Sequence, residues 1–128
     1  MKQLHDLEAK KLLKMATEAS ARAYSPHTGN IVGACLKASS GAYYLAGTVE
    51  SKSDGSSLCA ERIAFCKAVY EGERDFEALA ITKSDAPVTC GVCLEMLSEL
   101  CSDDMPVVCG NSGSYTVTTF GELLSKVQ

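Results

Sequence analysis

Apolar residues recur at helical spacing near the N-terminus. Leu4, Leu12, Met15, Ala16, Ala19 and Ala23 fall on one face, so residues 3–23 are predicted to form a helix that Ser25-Pro26 stops. The pattern then changes to runs rich in β-forming residues, at 31–38 and 43–49. The link Ser39-Ser40-Gly41-Ala42 is short enough to make them a hairpin. The serine-rich stretch 53–57 reads as a polar loop, and 58–70 as a helix closed by Glu71-Gly72. Ala78 to Thr82 is a short apolar run between polar residues, as in a buried strand. A helix is expected over 90–101 with Thr89 as its N-cap. Strands are expected at 105–109 and 115–118. Thr119 with Glu122 three residues later fits a capping box opening a last helix, with Leu123, Leu124 and Val127 facing inward.

Helices alternating with strands favour a three-layer α/β sandwich. Connections through helices should make neighbouring strands parallel, and the first hairpin antiparallel, giving a mixed sheet. With 128 residues, no internal repeat and no linker, residues 1–128 are read as a single domain. Net charge is −4 and no basic cluster stands out, which disfavours a nucleic-acid partner. No apolar stretch is long enough to cross a bilayer, and Met1-Lys2-Gln3-Leu4-His5-Asp6 does not read as an export signal. Seven cysteines could suit a disulfide scaffold, but an odd count without an export signal favours a reducing cytoplasm.

The chemistry concentrates in Cys59-Ala60-Glu61-Arg62 and Cys90-Gly91-Val92-Cys93. Cys90 and Cys93 are three apart, so on a helical first turn their sulfurs can grip one metal. Cys59 lies in the first turn of another predicted helix. If the two helix starts meet, three thiolates converge, and zinc is the metal that soft ligands without redox chemistry select. Zinc with three thiolates carries net charge minus one. Two helix N-termini would offset this with roughly half a unit each, and Arg62 could donate hydrogen bonds to the sulfurs. Glu61 is placed as the proton shuttle between attacking water, ring nitrogen and leaving amine. Such an arrangement is that of zinc-dependent nucleobase deaminases in a three-cysteine version.

Plainer readings stand beside this one. CxxC alone also fits a redox dithiol or half of a structural zinc knuckle. A catalytically idle zinc-stabilised fold would not need Glu61. Cys35, Cys66, Cys101 and Cys109 read as small buried apolar residues, and His5 as a surface residue of the first helix.

At these motifs the chain resembles the cytidine deaminase superfamily, in its small homotetrameric zinc form. Tyr24-Ser25-Pro26, Val32-Gly33-Ala34, Gly47-Thr48-Val49-Glu50, Ala68-Val69-Tyr70-Glu71-Gly72-Glu73-Arg74-Asp75-Phe76 and Glu122-Leu123-Leu124 extend the likeness over most of the chain. The resemblance implies a five-stranded mixed sheet within an α/β/α sandwich. It implies one zinc per chain on Cys59, Cys90 and Cys93, with Glu61 as acid and base. It also implies a nucleoside-like substrate, a cytoplasmic homotetramer with shared sites, and Glu50 on the sugar hydroxyl. Ala60, Thr48, Asn30, His27 and Asp54 fall at the remaining substrate positions.

Several of those positions depart from the family pattern. Thr48 replaces an asparagine, Asn30 an aromatic residue, and His27 the second tyrosine of the loop. Asp54 stands where an aromatic is common, Thr89 replaces a proline, and Leu94-Glu95 an Arg-Gln pair. The chain also lacks the family's aromatic C-terminal tail. Fewer aromatic walls mean less stacking on a base. Deamination of cytidine or deoxycytidine is the primary expectation. The alternative is a modified nucleoside, a blasticidin-type antibiotic or another amino-heterocycle.

Overall fold

The computed structural model describes residues 4–52, 58–82, 91–111 and 113–126, with backbone only for 91–93. Four helices and five strands are described: α1 (Asp6–Ser20), β1 (Gly33–Ala38), β2 (Tyr43–Gly47), α2 (Ala60–Tyr70), β3 (Phe76–Ile81), α3 (Gly91–Leu97), β4 (Pro106–Asn111), β5 (Ser114–Thr119) and α4 (Phe120–Lys126). The strands form one mixed sheet in the order β2-β1-β3-β4-β5.

Every expected element among these residues is present, with shifted ends. Helix α1 stops at Ser20, short of the expected end at 23. Two backbone bonds claim the chain beyond it: Tyr24 N–H donates to the Thr48 carbonyl at 2.7 Å, and Glu50 N–H to the Tyr24 carbonyl at 2.8 Å. Continuing the helix would forfeit both. Strand β1 starts at Gly33 and leaves Ile31 exposed, and β2 ends at Gly47. Strand β3 starts at Phe76, two residues earlier than its apolar run suggests, because Phe76 is buried and stacks at a tilt on Phe65 with centroids 5.7 Å apart. Helix α3 ends at Leu97, before a turn at 98–100, rather than running to 101. The Thr89 cap, the 53–57 loop and Val127 lie outside the described residues.

The strand directions need one correction. Strand β3 pairs parallel with β4, across α3, but antiparallel with β1. Helix α2 joins β2 to β3, and those two do run the same way. Strand β1 lies between them and runs opposite to both, since the hairpin placed it there. The rule for helical crossovers holds for the strands connected, not for whichever strand becomes the neighbour.

Alternate residues of the strands face different layers. Cys35, Ala78, Ala80 and Val108 meet Ala9, Leu12, Leu13 and Ala16 of α1. Leu36, Leu79, Ile81, Val107 and Cys109 belong to the larger cluster with Ala64, Phe65, Leu94, Leu97, Phe120 and Leu123 of the other helices. The three layers are therefore α1, the sheet, and α2 with α3 and α4. Gly33 permits the closest approach between the first two: a Cβ there would lie 1.9 Å from the Ala16 carbonyl oxygen. At the chain's end, Glu122 N–H donates to Thr119 Oγ1 at 3.2 Å, one half of the expected capping box. Glu122 spends its carboxylate on the Thr118 hydroxyl instead of completing the other half.

Candidate active site

Three segments distant in sequence are tied together beyond the ends of β1 and β2. Tyr24 bridges Val49 in parallel, and Val49 bridges Leu58 antiparallel. The second bridge is a reciprocal pair, Val49 N–H to the Leu58 carbonyl at 3.0 Å and Leu58 N–H to the Val49 carbonyl at 2.8 Å. Its register sets Thr48 across from Cys59. The short ladder thereby gathers the 24–30 loop, the Thr48–Glu50 segment and the start of α2, which α1, β2 and α2 alone would leave apart. Sequence periodicity carries no trace of bridges one residue long, so this assembly was not visible in it.

Cys59 is the N-cap of α2, one position before the helical first turn where it was expected, and makes no side-chain capping bond. Cysteine is a poor choice for capping compared with serine, threonine, asparagine or aspartate. The positive end of α2 favours a thiolate at this N-cap. Cys35, Cys66, Cys101 and Cys109 are free thiols. Cys93 lies in the first turn of α3, which packs against α2, and Cys90 immediately precedes that helix; the side chains of both lie outside the described residues. Of the three expected donors, Cys59 is the one whose side chain is described, and a cysteine thiolate is a donor that zinc accepts.

Glu61, at 2% exposure, is the one buried charged side chain among the described residues. Glutamate is almost never buried so completely without a partner or a task, and Glu61 has interactions of its own. Cys109, at the end of β4, lies near enough that Glu61 adds to the effect of burial on its thiol. Burial first and Glu61 second push that thiol up to about 11. Cys35 is pushed up to about 12, chiefly by burial. Cys35, Cys101 and Cys109 are buried as expected, but Cys66 is exposed, because its position on α2 faces away from the sheet.

Ala60 is fully buried as the first residue of α2. Arg62 is half-buried in the same first turn and is tied to no described residue by a hydrogen bond or ion pair. The Thr48 hydroxyl donates to the Val32 carbonyl at 3.2 Å, spending its one donor on the backbone. Asn30 is exposed; its N–H donates to the Thr28 hydroxyl at 3.0 Å, and its carbonyl accepts from Ser25 Oγ at 3.0 Å. His27 is exposed in the turn, as is His5 at the N-cap of α1. The loop turns at Gly29, whose φ of 73° suits glycine. Asp54 lies outside the described residues. Glu50 faces the loop and accepts three hydrogen bonds from His27 and Thr28. Thr28 is the residue that sequence reasoning missed; the preference of threonine for turn hydrogen bonds was the available signal.

Comparison with known proteins agrees with this architecture. The family described as "Cytidine and deoxycytidylate deaminase zinc-binding region" matches residues 7–109. A cytidine deaminase of Sporosarcina psychrophila is 37% identical over 121 residues, covering 92% of this chain and 89% of its own. A blasticidin-S deaminase of Bacillus cereus is 30% identical over 129 residues, covering 93% and 89%. The crystal structure of a cytidine deaminase from Burkholderia pseudomallei superposes with a TM-score of 0.80 at 34% identity, covering 88% of this chain and 93% of that one. Fold and family match together are those of a zinc-dependent aminohydrolase. The chain belongs to the cytidine and deoxycytidylate deaminase family.

Proposed function

We propose that this protein hydrolyses the exocyclic amine of cytidine or deoxycytidine, consuming water and releasing ammonia with uridine or deoxyuridine. The observation that carries the reading is Glu61, buried at 2% exposure two residues after Cys59 at the start of α2. Cys59, Cys90 and Cys93 would hold the zinc. When bound, zinc supplies Lewis acidity that brings the ionisation of water near neutral pH. Glu61 takes a proton from the attacking water and delivers it to the ring nitrogen. It then passes a proton to the departing amine. Burial suits this work, since a dry site strengthens each charge interaction along the path. Ala60 borders the reacting ring. Thr48, Asn30, His27 and Asp54 shape the surroundings of the base and sugar, and Glu50 receives a sugar hydroxyl.

Arg62 is assigned to the metal, where its guanidinium offsets thiolate charge. Arg62→Ala should bind zinc more weakly in competition with a chelator; unchanged zinc affinity and turnover would remove that role. A cytoplasmic homotetramer completes the reading. Ile31, Val49 and Leu58 expose apolar side chains around the site, which a neighbouring subunit would cover.

A second reading, a blasticidin-type nucleoside or other amino-heterocycle, is favoured by the Thr48 hydroxyl being committed to Val32. That leaves one donor fewer for a ribose. Ammonia release from purified, zinc-quantified protein separates the two. Turnover of cytidine and deoxycytidine is expected. Silence on both with zinc bound, alongside turnover of blasticidin S, would establish the second.

A further inference from the structure

Glu50 is held from one side by the turn that follows Pro26. Its Oε1 accepts the backbone N–H groups of His27 at 2.9 Å and Thr28 at 3.1 Å. Its Oε2 accepts the Thr28 hydroxyl. The direction of that bond is fixed: an ionised carboxylate can only accept, while the Thr28 oxygen itself accepts Asn30 N–H at 3.0 Å. Donation into the hydroxyl polarises it and strengthens what it gives. These donors, the Thr28 hydroxyl foremost and the His27 and Thr28 N–H groups after it, hold the Glu50 carboxyl below the usual carboxylate range.

An ionised carboxylate has about four lone-pair sites. Three are filled, two of them on Oε1, and the one left is on Oε2. We propose that Thr28 is a positioning residue, whose hydroxyl locks Glu50 so that a single Oε2 lone pair is presented to one hydroxyl of the substrate. This rests on the nucleoside reading above, with Glu50 meeting the sugar. Thr28 acts through Glu50 and touches no reacting atom. Being exposed, it contributes little packing that a substitution would disturb.

The test uses zinc-loaded full-length protein and two ligands differing in one hydroxyl: deoxycytidine as substrate and 2′,3′-dideoxycytidine as competing ligand. Thr28→Val removes the hydroxyl and keeps the branched shape. It should raise KM for deoxycytidine about tenfold, the usual worth of a hydrogen bond to a charged group, with kcat nearly unchanged. The inhibition constant of dideoxycytidine should not move, and Thr28→Ser should restore KM. Glu50→Gln, measured beside them, should raise KM for deoxycytidine at least as far. A normal KM in Thr28→Val beside a raised one in Glu50→Gln overturns the positioning role. So does equal weakening of both ligands, which would mark a structural role. A normal KM in Glu50→Gln removes the sugar contact, and the role of Thr28 with it. No turnover of deoxycytidine by the unmodified enzyme overturns the functional reading itself, and the positioning role falls too.

Discussion

Burial of Glu61 has a thermodynamic cost that packing alone does not explain. An ionised carboxylate taken from water must be compensated by charge or hydrogen bonds, and an apolar residue of similar volume would fit the cluster around Ala60, Ala64 and Cys109 without that cost. Retaining the acid there points to chemistry. Glu61→Gln keeps the shape and removes the proton carrier. Turnover should fall by about a thousandfold, within the range positioned acids and bases supply, while metal analysis still finds one zinc per chain. Retention of most activity would eliminate the shuttle. Cysteines differ by the same physics: burial raises the thiols of Cys35 and Cys109, while Cys59 stands at the positive end of α2.

Element by element, the site depends on where α1 lets go. The helix ends at Ser20, so the chain can turn back and pair Tyr24 with the Thr48–Glu50 segment. Gly33 sets the distance between α1 and the sheet, and hence the position of that turn. Gly33→Ala would drive a methyl into the Ala16 carbonyl and the Ser20 backbone nitrogen, 1.9 and 2.7 Å away. Both obstacles are main chain and cannot rotate aside. A loss of about 3 kcal/mol is expected, read as a lower urea midpoint with an unchanged slope. Stability within a few tenths of the parent would show that α1 slides freely on the sheet. The helix ends explain why the sequence was only partly legible here. The apolar stripe from Leu4 to Ala23 is continuous, so periodicity alone had no reason to stop at Ser20. The competing backbone partners lie nearly thirty residues downstream, at 48–50.

At the scale of the molecule, surface ion pairs and hydrogen bonds set a window of pH stability. The Tyr115 hydroxyl, then Lys10, hold Asp6 below its usual range, and the Thr28 hydroxyl does the same for Glu50. Depressed carboxylates contribute fully above their unfolded value of about 4 and lose that contribution as pH falls through the folded value. In the other direction, Asp6 raises Tyr115, Glu73 raises Tyr44, and the hydrogen bond to Glu8 raises Lys37. Raised groups contribute fully below about pH 10 and lose it as pH rises through their folded values. The urea midpoint should therefore be flat from about pH 5 to 8, declining gently in acid, where the groups involved are exposed, and more steeply in base, where the buried Cys35 and Cys109 thiols ionise only on unfolding. A maximum below pH 4 would contradict the assignment.

The sequence by itself determined the elements, the layers they build and the chemical character of the centre. Periods of two and 3.6 residues are local properties, and Cys59-Ala60-Glu61-Arg62 with Cys90 and Cys93 carries its chemistry in residue type and spacing. Only the tertiary structure decided that β3 lies against β1 in the opposite direction, since strand neighbours follow from how whole elements pack. It alone decided that the Thr48 hydroxyl is spent on Val32, that Cys66 faces outward, and that Thr28 grips Glu50. Each of these depends on which donor meets which acceptor, or which face meets the core, across stretches of chain whose separation in sequence says nothing of their distance in space.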